Sequence, residues 1–405
     1  MSFYKQFADP EVLLESVQGQ DLPVYPVNAH LHTPFSFSAF RSIADALDRA
    51  VAEGVKVVGI NDFYSTDGYE EWAAQCAVRH LFPLFNIEFI SLNQSFQDAG
   101  IRANDPNNPG RVYLSGKGLR FPLRLQQPWL GQLEGVKAAS NQHVAQMCAR
   151  LNEVLAQTKA GFALSYADIE RELANGSVRE RHLAKALRLE VEHRFTDAVG
   201  QKAFYDRLLA PHTLQSPLND AAAVENELRG RLLKAGGSAF VPEGPDAFLA
   251  METVRQIILK AGGMPTYPFL ADDAKGLFTD FEGDKEQAAR DLEERGFASV
   301  EFITTRNSME VLEEYAAYFY ERGFVVTFGS EHNTPAMEPI ALRARGDLPL
   351  SPLLQELNLK GAALTAAHQY LVARGEQGYL DADGRPRTAE RARMELLGQA
   401  LFAQV

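Results

Sequence analysis

Two histidines one residue apart, His30 and His32, close an apolar run in the stretch NAHLHTPFS. Residues i and i+2 of a strand project to one face, so both imidazoles can serve one ion while Leu31 packs behind them. Other side chains able to hold a metal stand at the ends of later apolar runs: Asp62 in VKVVGIND, Glu88 in FNIEF, and Glu331 with His332 in VVTFGSEHNT. Imidazole nitrogens together with carboxylates suit zinc, manganese or iron. Glu88, Glu331 and His332 are therefore expected to complete the ligand set around His30 and His32, with Asp62 orienting a ligand or the attacking water. A lone H-x-H pair can also be two hydrogen-bonded core histidines. The recurrence of ligand-type residues at run ends argues against that reading.

The elements that must position these residues alternate in type. Strand patterns at 22–32, 55–62 and 81–92 alternate with helical patterns at 42–54 and 68–80. The rhythm returns with helix 245–262, strand 263–269, helix 283–296, strand 298–303, helix 308–322 and strand 324–330. Such alternation implies parallel β-α units, and right-handed crossovers then give an open doubly wound sheet or a barrel. In both, sites form at the C-terminal ends of strands, where these polar residues fall. Residues 93–122 are rich in Gly, Asn and Pro and read as a loop, with room for a hairpin near 111–121. The tail from 351 is helical, broken by the turn LDADGRPRT. That turn superficially looks like a calcium loop but lacks the final glutamate and the third acid.

Composition is that of an ordinary globular chain: 405 residues, 46% hydrophobic and 23% charged, with a net charge of −13 that offers no general attraction to duplex nucleic acid or anionic membrane. Two cysteines, Cys76 and Cys148, make neither a disulfide framework nor a cysteine zinc site, which suits a reducing cytosol. The opening MSFYKQFADPEVLLESV carries acids and no long apolar core, so no signal peptide is expected, and no run is long enough to span a bilayer. The expectation is a cytoplasmic protein, with a homo-oligomer left open.

NAHLHTPFS followed by GVKVVGIND resembles the first two motifs of the polymerase-and-histidinol-phosphatase (PHP) family, where a strand ends H-x-H-T/S and a second ends T-D-H about thirty residues on. Here His32 and Asp62 are 30 positions apart. FNIEF stands where the family has its metal-bridging glutamate, AGGMPTYPF resembles its G-G-x-x-x-A-H-P strand, and VVTFGSEHNT resembles its closing G-S-D-x-H. RERHLAKAL resembles an R-x-H-x-A segment of the subgroup that includes nucleotide and oligonucleotide phosphoesterases, which carries over to His182 with Arg181 beside it. The resemblance covers residues 24–92 and 245–334. It implies an α/β fold of the distorted (β/α)7-barrel type; the nearly all-helical, mixed-charge stretch 134–240 reads as an insertion over its mouth, with residues 1–133 and 241–405 forming the barrel and the C-terminal helices. It also implies two or three divalent ions hydrolysing phosphate esters, with Asp62, Glu88 and His182 in the catalytic machinery.

The departures lower the ion count. Phe63 stands where the family has the histidine of T-D-H, Tyr267 where it has the histidine of A-H-P, and TPFSFSAF lacks the usual acid. Glu331-His332-Asn333 replaces Asp-x-His, so either His332 has shifted into the role or that ligand is lost. The expectation is one or two ions: a tight one on His30, His32, Glu88 and Glu331, and a weaker one sharing Glu88 and taking His182. Arg41, Arg181, Tyr267 and Asn333 are the candidates for holding a small phosphorylated substrate; each arginine, like Lys185, could equally sit in a solvated salt bridge. His80, His143, His193 and His368 lie on helical patterns and read as surface or packing residues, and Trp72 and Trp129 as core. Loss of the Phe63 and Tyr267 positions also admits a metal-dependent sugar-acid lyase or isomerase, or a non-catalytic barrel.

Overall fold

Seven strands form the wall of a nearly closed barrel in the computed structural model, which describes residues 3–405. They are β1 (Val27–Leu31), β2 (Val57–Phe63), β3 (Phe82–Leu92), β4 (Arg111–Lys117), β5 (Met264–Phe269), β6 (Ser299–Ile303) and β7 (Val325–Gly329). They pair in chain order, and a two-residue strand, Leu249–Ala250, adds to the far end of β3. Every neighbouring pair is parallel except those of β4, which runs antiparallel to β3 and β5. The first and last strands meet at the site end: His32 N donates to Glu331 O at 2.8 Å and Glu331 N to His30 O at 2.9 Å. The expected α/β barrel is thus observed, with one strand reversed.

That reversed strand lies in the stretch read from sequence as a loop, together with the short helix Gln94–Ala99. Its signal is a two-residue alternation. Leu114 pairs across from Phe89 on the outer, apolar face, and a Cβ on Gly116 would meet Ile258 of helix Met251–Lys260. Ser115 and Lys117 point inward. A lysine on the inner face of a barrel strand hides the pattern, because lysine is ordinarily an exposed residue.

Helices Ile43–Ala52, Tyr69–Val78, Met251–Lys260, Lys285–Glu294 and Met309–Glu321 form the outer layer. Local chemistry starts several of them: the side chains of Ser42, Asp284 and Ser308 each accept an orphan backbone N–H of the first turn. Each buries an apolar stripe against the sheet, with Leu47, Trp72, Leu292 and Phe319 fully enclosed; each such side chain contributes about 1.5–3 kcal/mol. Helix Pro352–Arg374 fills the seam below the closing bonds. Asn358 accepts from Phe328 N at 3.0 Å and donates to Val27 O at 3.0 Å, tying β7 to β1. The helix approaches so closely that a Cβ on Gly361 would lie 1.8 Å from Val326 O; only glycine fits there.

Between β4 and β5 the chain is helical: Trp129–Gln157, Tyr166–Glu172, Glu180–Arg194, Ala198–Leu208 and Ala221–Leu228, the last running on into the π-turn Arg229–Leu233. These helices carry an apolar cluster of their own, including Leu151, Leu187, Phe204 and Leu228. Among the described residues, no helix is long and apolar enough to cross a membrane.

Candidate metal centre

His30 Nε2 and His32 Nε2 are 3.2 Å apart, and Glu88 Oε2 lies 3.5 Å from the first and 3.0 Å from the second. All three side chains are buried. His30 of β1 and His32, just past its end and held by the bond from its N–H to Glu331 O, both turn their rings inward, and β3 delivers Glu88 from two strands away. Gly329 of β7 makes room, since a Cβ there would fall 2.2 Å from His30 Cβ.

The hydrogen bonds around the two rings decide their tautomers. Asp62 can only accept, so the Ser36 hydroxyl donates to it (2.6 Å) and the Ser36 oxygen accepts from His32 Nδ1–H (3.0 Å). His30 Nδ1–H likewise donates to Glu301 Oε2 at 2.8 Å. In this tautomer both Nε2 atoms carry lone pairs directed at each other and at Glu88, whose Oε2 is buried with no hydrogen-bond partner. Three electron pairs that converge in a buried site repel one another, and a cation between them, a proton or a metal ion, relieves that repulsion. Burial disfavours a charge on His30, but Glu301 outweighs it, against opposition from Lys117, and raises the pKa to about 9. Burial also opposes the Glu88 charge, yet the two imidazoles bring its pKa down to about 2. His30, His32 and Glu88 form the one group of three metal-competent side chains whose ligand atoms lie within 4.8 Å of one another among the described residues. The donor set fits a divalent ion of the zinc or manganese kind.

Beneath the cluster lies a polar floor that the sequence reading did not single out. Glu301 of β6 accepts from His30 with one oxygen and from the Lys117 ammonium with the other. Asn61 of β2 places its amide nitrogen 2.8 Å from His30 Nε2, while its buried Oδ1 has no partner. A half-turn of that amide puts the oxygen beside the cluster as a neutral donor.

Above the cluster opens a cavity of about 800 Å³, bounded by Phe63, Tyr113, Glu88 and Arg306 on the barrel side and by Arg179 and Arg181 on the helical side. Phe63 stacks on His32 with centroids 5.0 Å apart, and the Arg179 guanidinium lies 4.6 Å from the Phe63 ring centre. An aromatic ring and a fixed cation thus stand where the family resemblance places a further ligand.

The other expected site residues are distributed differently. Asp62 is close but fully engaged: it accepts from Thr33 N (2.7 Å), Thr33 Oγ1 (2.5 Å) and Ser36 Oγ, and it holds His32 through Ser36. Glu331 and His332 both have left-handed backbone, with φ of 63° and 57°. This turn sends Glu331 to the cavity rim, where it pairs with Arg306 and accepts from Asn333 Nδ2 at 2.9 Å. His332 faces the other way, stacked on Phe40, with Nδ1 at 2.8 Å from Ser330 Oγ and Nε2 at 2.8 Å from Glu338 O. Neither is in the cluster, and His332 has no free lone pair to give it.

His182 is corrected on the same ground. Its Nδ1 accepts from Arg179 N at 2.9 Å, so its proton is on Nε2 and no lone pair remains for an ion. Burial, with Lys185 and Arg179, pushes its pKa to about 3. Tyr267 points outward from β5 into the core and donates to Glu282 at 2.9 Å, so it cannot hold substrate in the barrel. Arg41 is an exposed side chain paired with Asp45. Arg181 and Asn333 do line the cavity, and burial lowers the Arg181 pKa to about 10. Arg179 and Arg306, read from sequence as nothing in particular, face the same space. Position in RERHL could have pointed to Arg179; nothing local marks Arg306.

The chain is therefore a distorted α/β barrel with a His-His-Glu cluster on the inner face of its wall, at the end of β1 and within β3. Among solved structures it is similar to an amidohydrolase from Chromobacterium violaceum with bound sulfate and no metal, at a TM-score of 0.53 and 18% identity over 82% of this chain and 95% of that one. It is also similar to a candidate metal-dependent phosphoesterase from Bifidobacterium adolescentis, at a TM-score of 0.52 and 16% identity over 83% of this chain and 96% of the other. At these identities the likeness is one of fold. No protein-family model and no curated protein matches the sequence.

Proposed function

We propose that the chain is a hydrolase that uses one divalent ion, held by His30, His32 and Glu88, to split a phosphate ester of a small molecule or nucleotide. The observation that carries this reading is the convergence of two imidazole lone pairs on a buried carboxylate oxygen that no donor meets. A bound ion supplies Lewis-acid charge for the phosphoryl group and makes water nucleophilic near neutral pH. Glu301 and the Asp62–Ser36 pair keep both rings in the ligating tautomer. Arg179, Arg181 and Arg306 line the cavity, and guanidinium groups suit phosphate oxygens bidentately. Phe63 and Tyr113 give the inner wall of the cavity two aromatic rings.

The test is hydrolysis of a panel of phosphate esters by chelator-stripped protein reloaded with zinc or manganese. Activity that depends on added metal and falls at least a hundredfold in Glu88→Gln supports the reading. A sugar-acid lyase or isomerase is the second reading, because the same forks fit a carboxylate; turnover of sugar acids with no phosphate release would select it.

A further inference from the structure

Lys117 is a fully buried lysine inside the barrel. It reaches in from the reversed strand β4, and its ammonium donates to Glu301 Oε1 and to Ala29 O at 3.3 Å. Glu301 is equally buried, its other oxygen taken by His30 Nδ1–H and approached by Ser115 Oγ at 3.4 Å. A buried ion pair is a weak source of stability, and an apolar pair of similar volume commonly serves the fold as well or better. Its position one hydrogen bond from a ligand of the cluster supplies a different reason for it. A carboxylate at Glu301 without Lys117 would be a free anionic ligand directly beneath His30, able to draw a second cation to the floor. With Lys117 in place both of its oxygens are occupied.

We propose that Lys117 is a built-in cation of this site: paired with Glu301 directly beneath His30, it limits the cluster to a single divalent ion. The inference rests on the metal-site reading above. Lys117 and Glu301 act through His30 and are positioning residues. Two opposite consequences follow from charge alone. Lys117 repels the ion across the floor, so losing its charge must tighten metal binding, whereas losing the Glu301 charge must weaken it. A pair that served folding alone would leave affinity unchanged in variants that fold.

The experiment uses the full chain, stripped with chelator and titrated with zinc against a chromophoric competitor at pH 8, with bound metal counted by elemental analysis. Wild type should bind one equivalent. Lys117→Gln, which keeps a donor toward Glu301, should bind it at least tenfold tighter; Glu301→Gln should bind at least tenfold weaker. Should Lys117→Gln fail to fold, as judged by circular dichroism, Glu301→Gln carries the test with its opposite sign. Unchanged or weaker binding in folded Lys117→Gln, unchanged binding in folded Glu301→Gln, or two equivalents in wild type would overturn the proposal alone. No metal bound by wild type would overturn it together with the hydrolase reading.

Discussion

Raising the pH of the metal-stripped protein should destabilise it, by an amount set at His30. In the folded chain this ring is buried, a cost that Glu301 on Nδ1 and Glu88 beside Nε2 outweigh against Lys117, so its pKa stands near 9 in place of the ordinary 6.5. A folded pKa above the unfolded one means that the native state retains a proton the unfolded chain releases. The stabilisation is therefore complete below about pH 6.5 and is lost as pH rises through 9. At about 1.4 kcal/mol per pH unit, the interval between the two values corresponds to about 3 kcal/mol. Urea unfolding from pH 6 to 10, followed by the fluorescence of Trp72 and Trp129, measures it as a falling midpoint at constant slope. His30→Gln should remove that fall, and the difference between the two proteins isolates the ring from other titrating groups. With saturating zinc the trend should reverse, because the ion displaces the proton and its stabilisation grows with pH. A wild-type midpoint that stays flat from pH 6.5 to 9, or an equal fall in His30→Gln, would refute the tautomer and charge assignments.

Asp62→Asn replaces an acceptor of three hydrogen bonds with an amide whose NH2 must face a donor; it should cost about 2–3 kcal/mol in urea unfolding and weaken zinc binding through the freed His32. His182→Ala should leave zinc stoichiometry and affinity at wild-type values while costing about 1–2 kcal/mol through the orphaned Arg179 N–H; a lost equivalent of zinc would restore His182 as a ligand. Arg179→Met should raise KM for a phosphate ester at least tenfold with a smaller change in kcat, measured by steady-state kinetics, if the guanidinium binds the ester equally in ground and transition states.

How much of the site was legible follows from how far each residue's surroundings are local. His30 and His32 announce themselves because strand geometry relates i to i+2 without help from the rest of the chain. Glu88 was recognisable as a carboxylate in an apolar strand, although β3 runs on past it to Leu92 and Glu88 is instead level with the end of β2 at Phe63. His332 was misplaced because the left-handed pair Glu331-His332 inverts which side chain faces the cavity, and two adjacent non-glycine residues in that region are not predictable from composition. Tyr267 was misassigned by facing. On β5 the neighbours Thr266 and Pro268 pair with Ser115 and Glu301, whose side chains point inward, so Tyr267 between them must point out. Arg41 sits near the first motif in sequence yet pairs with Asp45 on the surface.

The alternation of apolar strands and amphipathic helices, the strand-end location of the chemistry and the two-histidine pair were determined by sequence, since each depends on a repeat of two or about four residues along the chain. The direction of β4, the Lys117–Glu301 pair beneath His30 and the arginines over Phe63 were decided only by the tertiary structure. Lys117 and Glu301 are 184 positions apart, and Arg179 meets Phe63 from a separate helical segment. Burial makes those charges matter, and burial belongs to the closed barrel, with no counterpart in any stretch of the chain read alone.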